Sequence, residues 1–236
     1  MTGIDLDFRG FKFSYYNMYR RIHSCIGHSS IKYKYNNPQN FWGENININN
    51  ISYNKIWKRF STNTQITFLT YKMDNNSSIA LTYINKGDRI YRYAASNDLI
   101  FEQNFNTAIS GSSELISGFS IQKSGYLPLT GYLSNPFKTE LYSPFSTITV
   151  VDTNFLPIGV KSGVFSNYSA FIQIYIKQKN LRFILGTRGD YHSRYGLNIN
   201  PRIAILYKIN KSNSLRLSGG FAYKTSTPSI EFETKG

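Results

Sequence analysis

The sequence predicts an all-β fold: a segment of an antiparallel, up-and-down transmembrane β-barrel, with about nine strands. The first observation behind this is residues 181–224, which read as three strands with every charge on one side. Leu181, Phe183, Leu185, Thr187, Gly189 and Tyr191 share one face, and Arg182, Ile184, Gly186, Arg188, Asp190 and His192 the other. The next strand sets Pro201, Ile203, Ile205, Tyr207 and Ile209 against Arg202, Ala204, Leu206 and Lys208. The third sets Leu215, Leu217, Gly219, Phe221 and Tyr223 against Arg216, Ser218, Gly220, Ala222 and Lys224. Side chains alternate with a period of two along a strand, so each strand has an apolar and a charged face. Lipid outside and water inside demand that pattern. The second observation is that every second connection along the chain is tight, as between short turns on one side of a membrane and longer loops on the other. The third is compositional: 19 Tyr and 17 Phe favour strands and interfacial girdles. No apolar run is long enough for a transmembrane helix.

Taken in order, the first strand is expected over residues 10–19, with Phe11, Phe13 and Tyr15 opposite Lys12 and Ser14. Residues 20–62 are rich in Asn, Tyr and Gly and read as a long surface loop. Residues 63–73 read as strand, 74–77 as a tight turn and 78–93 as strand of ambiguous phase. A modest connection at 94–97 leads to a strand over 98–109, where Leu99, Phe101, Phe105 and Ile109 oppose Glu102, Asn104 and Asn106. After a turn near 111–113, residues 114–126 alternate again, except that Lys123 falls on the apolar side near the strand end. A lysine there can snorkel. Residues 127–162 form a second long loop. Residues 163–177 are a strand with Ala170, Ile172, Ile174 and Ile176 outward, and 178–180 turn into the three strands described first. Their connections are a medium loop over 193–199 and a tight turn over 210–213. A soluble sandwich has no reason to segregate loop length by side, because Greek-key crossings mix the sides.

The net charge is +14, spread along the whole chain without a block of five or six like charges. That spread is a coding bias toward Lys, Asn and Ile rather than a nucleic-acid surface, and no nucleic-acid partner is expected. One cysteine, Cys25, excludes an internal disulfide. His23, Cys25 and His28 lie close in sequence but read as a polar loop. No metal site, cofactor or enzymatic activity is expected: Asp190 with His192 has no nucleophile at a fixed spacing. The acidic start, MTGIDLDFRG, has no apolar core of a secretory signal.

The segments RGFKFSYYNMYRR (9–21), WGENI (42–46), YRYAASNDLIFEQNF (91–105), GFSIQKSGYLPLTGYLSNPF (118–137), LGTRGDYHSRYGLNINPRIAILYKI (185–209) and SLRLSGGFAYKTSTPS (214–229) together resemble the barrel of TonB-dependent outer-membrane receptors of the Bacteroidetes type. The most specific part is a strand carrying Gly186, Arg188 and Asp190, followed by Asn200-Pro201-Arg202 opening the next. The resemblance implies an outer-membrane location and a plugged, 22-stranded barrel, of which residues 1–236 would be a partial barrel domain. The signal peptide, plug domain and closing strands would then lie outside this sequence. It also implies energy-coupled uptake of a scarce small molecule such as an iron–siderophore complex, with outer-membrane lipid and the TonB complex (through the plug) as partners. Arg182, Arg188, Asp190, His192, Arg202 and Arg216 are the expected lumen residues facing ligand or plug. Tyr33, Tyr35, Phe41, Trp42, Tyr132 and Phe137 are the candidate extracellular-loop aromatics, equally suited to packing those loops together. Two alternatives stay open: a passive porin-like barrel, and a soluble basic β protein binding polyanions or glycans.

Overall fold

The structure is a computed structural model that describes residues 1–24, 38–80, 89–130, 133–139, 149–150 and 160–222. Among the described residues fourteen strands appear in chain order: β1 (Thr2–Phe8), β2 (Phe11–His23), β3 (Phe41–Ile56), β4 (Phe60–Met73), β5 (Ser78–Ala80), β6 (Arg89–Tyr91), β7 (Ala95–Ser110), β8 (Ser113–Leu127), β9 (Thr149–Val150), β10 (Val160–Lys161), β11 (Gly163–Gln178), β12 (Leu181–His192), β13 (Gly196–Lys208) and β14 (Ser214–Gly220). Ten of them form one open antiparallel sheet in the order β1-β2-β3-β4-β7-β8-β11-β12-β13-β14. Every neighbour in that sheet is a sequence neighbour once the short pairs β5–β6 and β9–β10 are set aside. The expected up-and-down antiparallel architecture is therefore present.

Several elements differ from the sequence reading. The supposed loop over 20–62 holds the end of β2 and all of β3. Its asparagines are strand residues: Asn45, Asn47 and Asn49 alternate with Ile46 and Ile48. Their amides bond across the sheet instead of building turns, Asn17 Nδ2 donating to Asn45 Oδ1 at 3.0 Å and Asn47 Nδ2 to Thr70 Oγ1 at 3.3 Å. The acidic start forms β1, joined to β2 by Arg9 and Gly10, both at positive φ (49° and 88°). That is the handedness a two-residue hairpin turn requires. A Cβ on Gly10 would also meet the Asn54 carbonyl oxygen at 2.5 Å, so glycine is needed there twice over. Residues 78–93 are no spanning strand. Their described parts form the β5–β6 pair, which leaves the main sheet and brings the chain back by the same route. The medium loop over 193–199 contracts to 193–195, because β13 pairs with β12 from His192↔Gly196 onward. The strand count of the main sheet is ten rather than nine.

With these corrections the connections still differ by end of the sheet, with one exception. One end of the sheet carries tight turns at residues 9–10, 57–59, 111–112, 179–180 and 209–213. The other end carries 24–40, 74–94 and 128–162, together with the short 193–195. Cross-strand partners share a face, so the register fixes two faces for the whole sheet. One register row runs Phe13–Ile51–Ile66–Phe101–Ile121–Tyr168–Tyr191–Leu197. On this outward face Ile66, Ile121, Ile172, Leu185, Ile203 and Tyr191 stay substantially exposed. The inward face carries Ser14, Ser124, Ser169, Asp190 and His192, all buried. Strands of 12 to 16 residues exceed the roughly 9–11 needed to cross hydrocarbon.

The buried apolar cluster sits at that same end, not in the sheet. Met73, Tyr93, Ala95, Leu127, Leu133 and Phe137 pack together, with Trp42, Tyr71 and Tyr91 against them. Tyr93 and Phe137 stack with ring centroids 4.3 Å apart. Tyr91 and Leu133 exchange two backbone hydrogen bonds of 2.9 Å. Two long connections are thereby folded onto each other.

Two outcomes are expected. Ile172→Arg or Ile203→Arg, on the outward face, should lower stability in a bilayer by about 2–4 kcal/mol if they sit at its midplane, whereas Lys123→Arg should be neutral; urea unfolding from vesicles measures both. Phe137→Ala should cost about 3–5 kcal/mol locally, seen as faster hydrogen exchange at Tyr91, Tyr93 and Leu133 with the sheet strands unchanged.

Candidate functional site on the inward wall

The inward faces of β8, β11, β12 and β13 enclose an open hollow of about 750 Å³. Gln122, Phe165, Asn167, Arg188, Asp190, His192, Asn200 and Arg202 line it, with Phe221 and Ala222 at its margin. The register explains the grouping. Ser169 stands opposite Asp190, Asn167 opposite His192, and Arg188 opposite Asn200. Period-two alternation turns all of these to one side, and the residues between them face outward.

The centre is a bonded group around Asp190. Arg188 Nε donates to both carboxylate oxygens, at 2.9 and 3.1 Å. Ser169 Oγ donates to Oδ1 at 2.6 Å and accepts from Arg188 Nη2 at 2.9 Å. Asn200 Nδ2 approaches Oδ2 at 3.5 Å. The carboxylate is mostly buried and the guanidinium 40% exposed, so the pair is anchored in the wall with one edge toward the hollow. His192 lies between the rings of Phe165 (4.7 Å) and Tyr195 (4.8 Å). Its Nδ1 accepts from the Arg194 amide at 3.2 Å, which leaves Nε2 as the donor of the neutral ring. Asp190 is thus occupied by wall donors, an arrangement that suits binding and positioning.

Arg202 stands opposite Gly186 and Gly220. Neither glycine presents a side chain, so the guanidinium has room to reach the hollow. Among the described residues no carboxylate lies within ion-pair distance of it. Arg202 also lines a second hollow of about 420 Å³, with Gln173, Tyr175 and Arg216. Arg182 lies nearer the tight-turn end, opposite Lys177 and Leu206. The wall therefore gathers Arg188, Asp190, His192 and Arg202 around one hollow, Arg216 beside the next, and Arg182 apart.

The loop aromatics divide differently. Tyr33, Tyr35 and Tyr132 lie outside the described residues. Phe41 is buried with the Arg21 guanidinium 3.7 Å from its ring centroid. Trp42 packs against the buried loop cluster, and Phe137 belongs to it. Sequence reasoning missed Gln122, Phe165 and Asn167 as lining residues, although extending the parity of β11 back from Ala170 would have turned Phe165 and Asn167 inward. It also missed Asp98, which accepts from Gln122 Nε2 at 3.4 Å and from Ser124 Oγ. Among the described residues no group of three His, Cys, Asp or Glu is placed to hold a metal.

A double-mutant cycle on Arg188→Ala and Asp190→Ala should return a coupling energy of roughly 1 kcal/mol in denaturant unfolding, since the pair is part-exposed but doubly bonded. A coupling near zero would mean that Ser169 and Asn200 alone hold the carboxylate.

No curated protein matches the chain. The model of the family described as TonB dependent receptor-like, beta-barrel, matches residues 4–231. That span takes in every strand from β2 to β14 and the whole hollow. Its members are outer-membrane transporters that take up small molecules. An open up-and-down antiparallel sheet, with its long connections gathered at one end and a polar wall on one face, is what a piece of such a barrel requires, and the chain belongs to this TonB-dependent receptor β-barrel family.

Proposed function

We propose that these residues form part of the barrel wall of an outer-membrane receptor that takes up an iron–siderophore complex in a TonB-dependent manner. The observation that carries this beyond family membership is the inward wall around Arg202. It has an arginine without an ion-pair partner among the described residues, facing a hollow lined by amides, Phe165 and His192. A ferric complex with acidic ligating oxygens would present negative charge to Arg202, and its organic shell would meet Phe165 and the amides. Arg188 serves differently, because Asp190 already neutralises it. In this reading the coupling to TonB runs through a plug domain. The wall performs no bond chemistry of its own.

The test is uptake of radiolabelled ferric siderophore by iron-starved cells of the source organism, with and without the gene and with and without a proton uncoupler. Uptake that needs both the gene and the proton-motive force supports the proposal. Gene-dependent uptake that survives the uncoupler would identify a passive pore, and uptake independent of the gene would remove the siderophore. Arg202→Ala should raise the half-saturating concentration by about tenfold, the loss of one charge-assisted contact of roughly 1.5 kcal/mol, with protein abundance in the membrane unchanged.

A further inference from the structure

Followed along the inward wall from the long connections toward the tight turns, the cations lose their acids. Arg188 is neutralised by Asp190 near the long-connection end. Arg202 comes next, opposite Gly186 and Gly220. Four residues further along β13, about 13 Å at the rise of a strand, one register row runs Lys177–Arg182–Leu206–Arg216. Lys208 follows on the next inward row, opposite Ser214. Among the described residues none of these cations beyond Arg188 has a carboxylate within ion-pair distance. Register brings Glu114 nearest to them, opposite Tyr175, yet it accepts from Asn106 Nδ2 at 2.6 Å and pairs with none of them. Lys177 and Arg182 are direct cross-strand partners, and like charges placed so repel. The wall carries that repulsion with no acid to relieve it.

The space beside these cations is a chain of hollows that share walls. The hollow of about 750 Å³ and that of about 420 Å³ have Arg202 in common, and Arg216 lines the second. Tyr175 joins the second to a third, of about 330 Å³, which Lys177 and Arg182 line. Arg182 joins the third to a fourth, of about 230 Å³, which Lys208 lines among the residues of the last tight turn. Two of the three joining residues are thus arginines without an acid. Between Arg202 and Arg216 the wall presents Ala204, Ser218 and Gly220, so small side chains keep the trough open where the first hollow leads into the next.

We propose that Arg202, Arg216, Arg182, Lys177 and Lys208 form a track along which an anionic solute leaves the Arg202 hollow and travels down the inward wall to the tight turns, the periplasmic side of an outer-membrane barrel. The proposal rests on the uptake reading above, and it adds the route the solute takes. Successive sites of one sign, none closed by an acid, raise the local concentration of an anion while letting each site release it to the next. Arg202 captures. The row Lys177–Arg182–Arg216 receives, and its internal repulsion is relieved whenever an anion sits beside it. Arg188 takes no part, because Asp190 holds it in the wall.

The test separates capture from passage in the full receptor, in iron-starved cells given radiolabelled ferric siderophore. The triple Lys177→Gln, Arg182→Gln, Arg216→Gln should lower the maximal uptake rate about tenfold. Binding to de-energised cells should keep its half-saturating concentration, the reverse of the effect of Arg202→Ala. The charge-conserving triple Lys177→Arg, Arg182→Lys, Arg216→Lys and the off-track variant Lys12→Gln should take up siderophore as the unaltered receptor does. An unchanged rate in the Gln triple, or an equal loss in the charge-conserving triple, overturns the track. So does entry of a bulky neutral solute through the Gln triple, which would assign these cations to holding a domain in the lumen. A second measurement needs no siderophore and tolerates failure of the triple to fold. Ser218→Cys, in a Cys25→Ser background, is labelled with a sulfonate-bearing and a trimethylammonium-bearing methanethiosulfonate, each rate normalised to a free thiol. The sulfonate should be favoured about tenfold, and Arg216→Gln should remove much of that preference while Lys12→Gln leaves it. Absence of a preference, or no change with Arg216→Gln, overturns the track. Preference for the sulfonate without gene-dependent siderophore uptake would remove the siderophore and keep the track for another anion.

Discussion

The whole arrangement depends on one constraint: inside hydrocarbon no water is available to the backbone, so each amide and carbonyl must find its partner within the protein. A long antiparallel sheet meets that demand strand by strand, and it is the pairing rather than a buried core that holds these residues together. The uninterrupted registers from β1 to β14, with one irregularity between Ala108 and Ser110, are the expression of that constraint. It also explains why the outward isoleucines and phenylalanines are exposed. Their burial is supplied by lipid, and large exposed apolar side chains that would be a liability in water become the means of insertion.

Pairing fixes parity, and parity fixes chemistry. Once Ser169 pairs with Asp190, the neighbours Asn167, His192, Arg188 and Asn200 have no choice of side. The polar wall is therefore a property of register rather than of any loop. A slip of one residue would exchange the lipid-facing and lumen-facing sets along the entire strand. Glycines at 186 and 220 refine the result locally, because they withhold side chains opposite Arg202 and open the wall where its guanidinium lies.

Much of this was legible in the residues. The strands around Leu185, Ile203 and Leu217 announced themselves because every charge in them falls on one parity, and that parity puts Arg188, Asp190, His192 and Arg202 on one side. β3 was not legible, because Asn is ordinarily a turn former and hid the alternation with Ile46 and Ile48. Only the cross-strand partners Asn17 and Thr70 make those amides at home in a strand. β1 was hidden by its acids, Asp5 and Asp7, which are strand residues facing Ser14 and Lys12. Residues 78–93 misled for the opposite reason: an apolar alternation there serves a small hairpin packed onto a neighbouring connection, and period two cannot tell a spanning strand from a lid strand. Phe165 lay inside the strand expected over 163–177 and on its inward parity, but an aromatic side chain among polar ones gave no reason to read it as lining a site.

The bridge between Tyr91 and Leu133, with the stacked rings of Tyr93 and Phe137 beside it, ties together the described parts of the two long connections after β4 and β8. Met73 and Leu127, where these connections leave the sheet, are themselves part of the buried cluster. The long-connection end thus carries a packed apolar ledge fastened to the strand ends, and displacing it means breaking both the bridge and the packing on Met73 and Leu127.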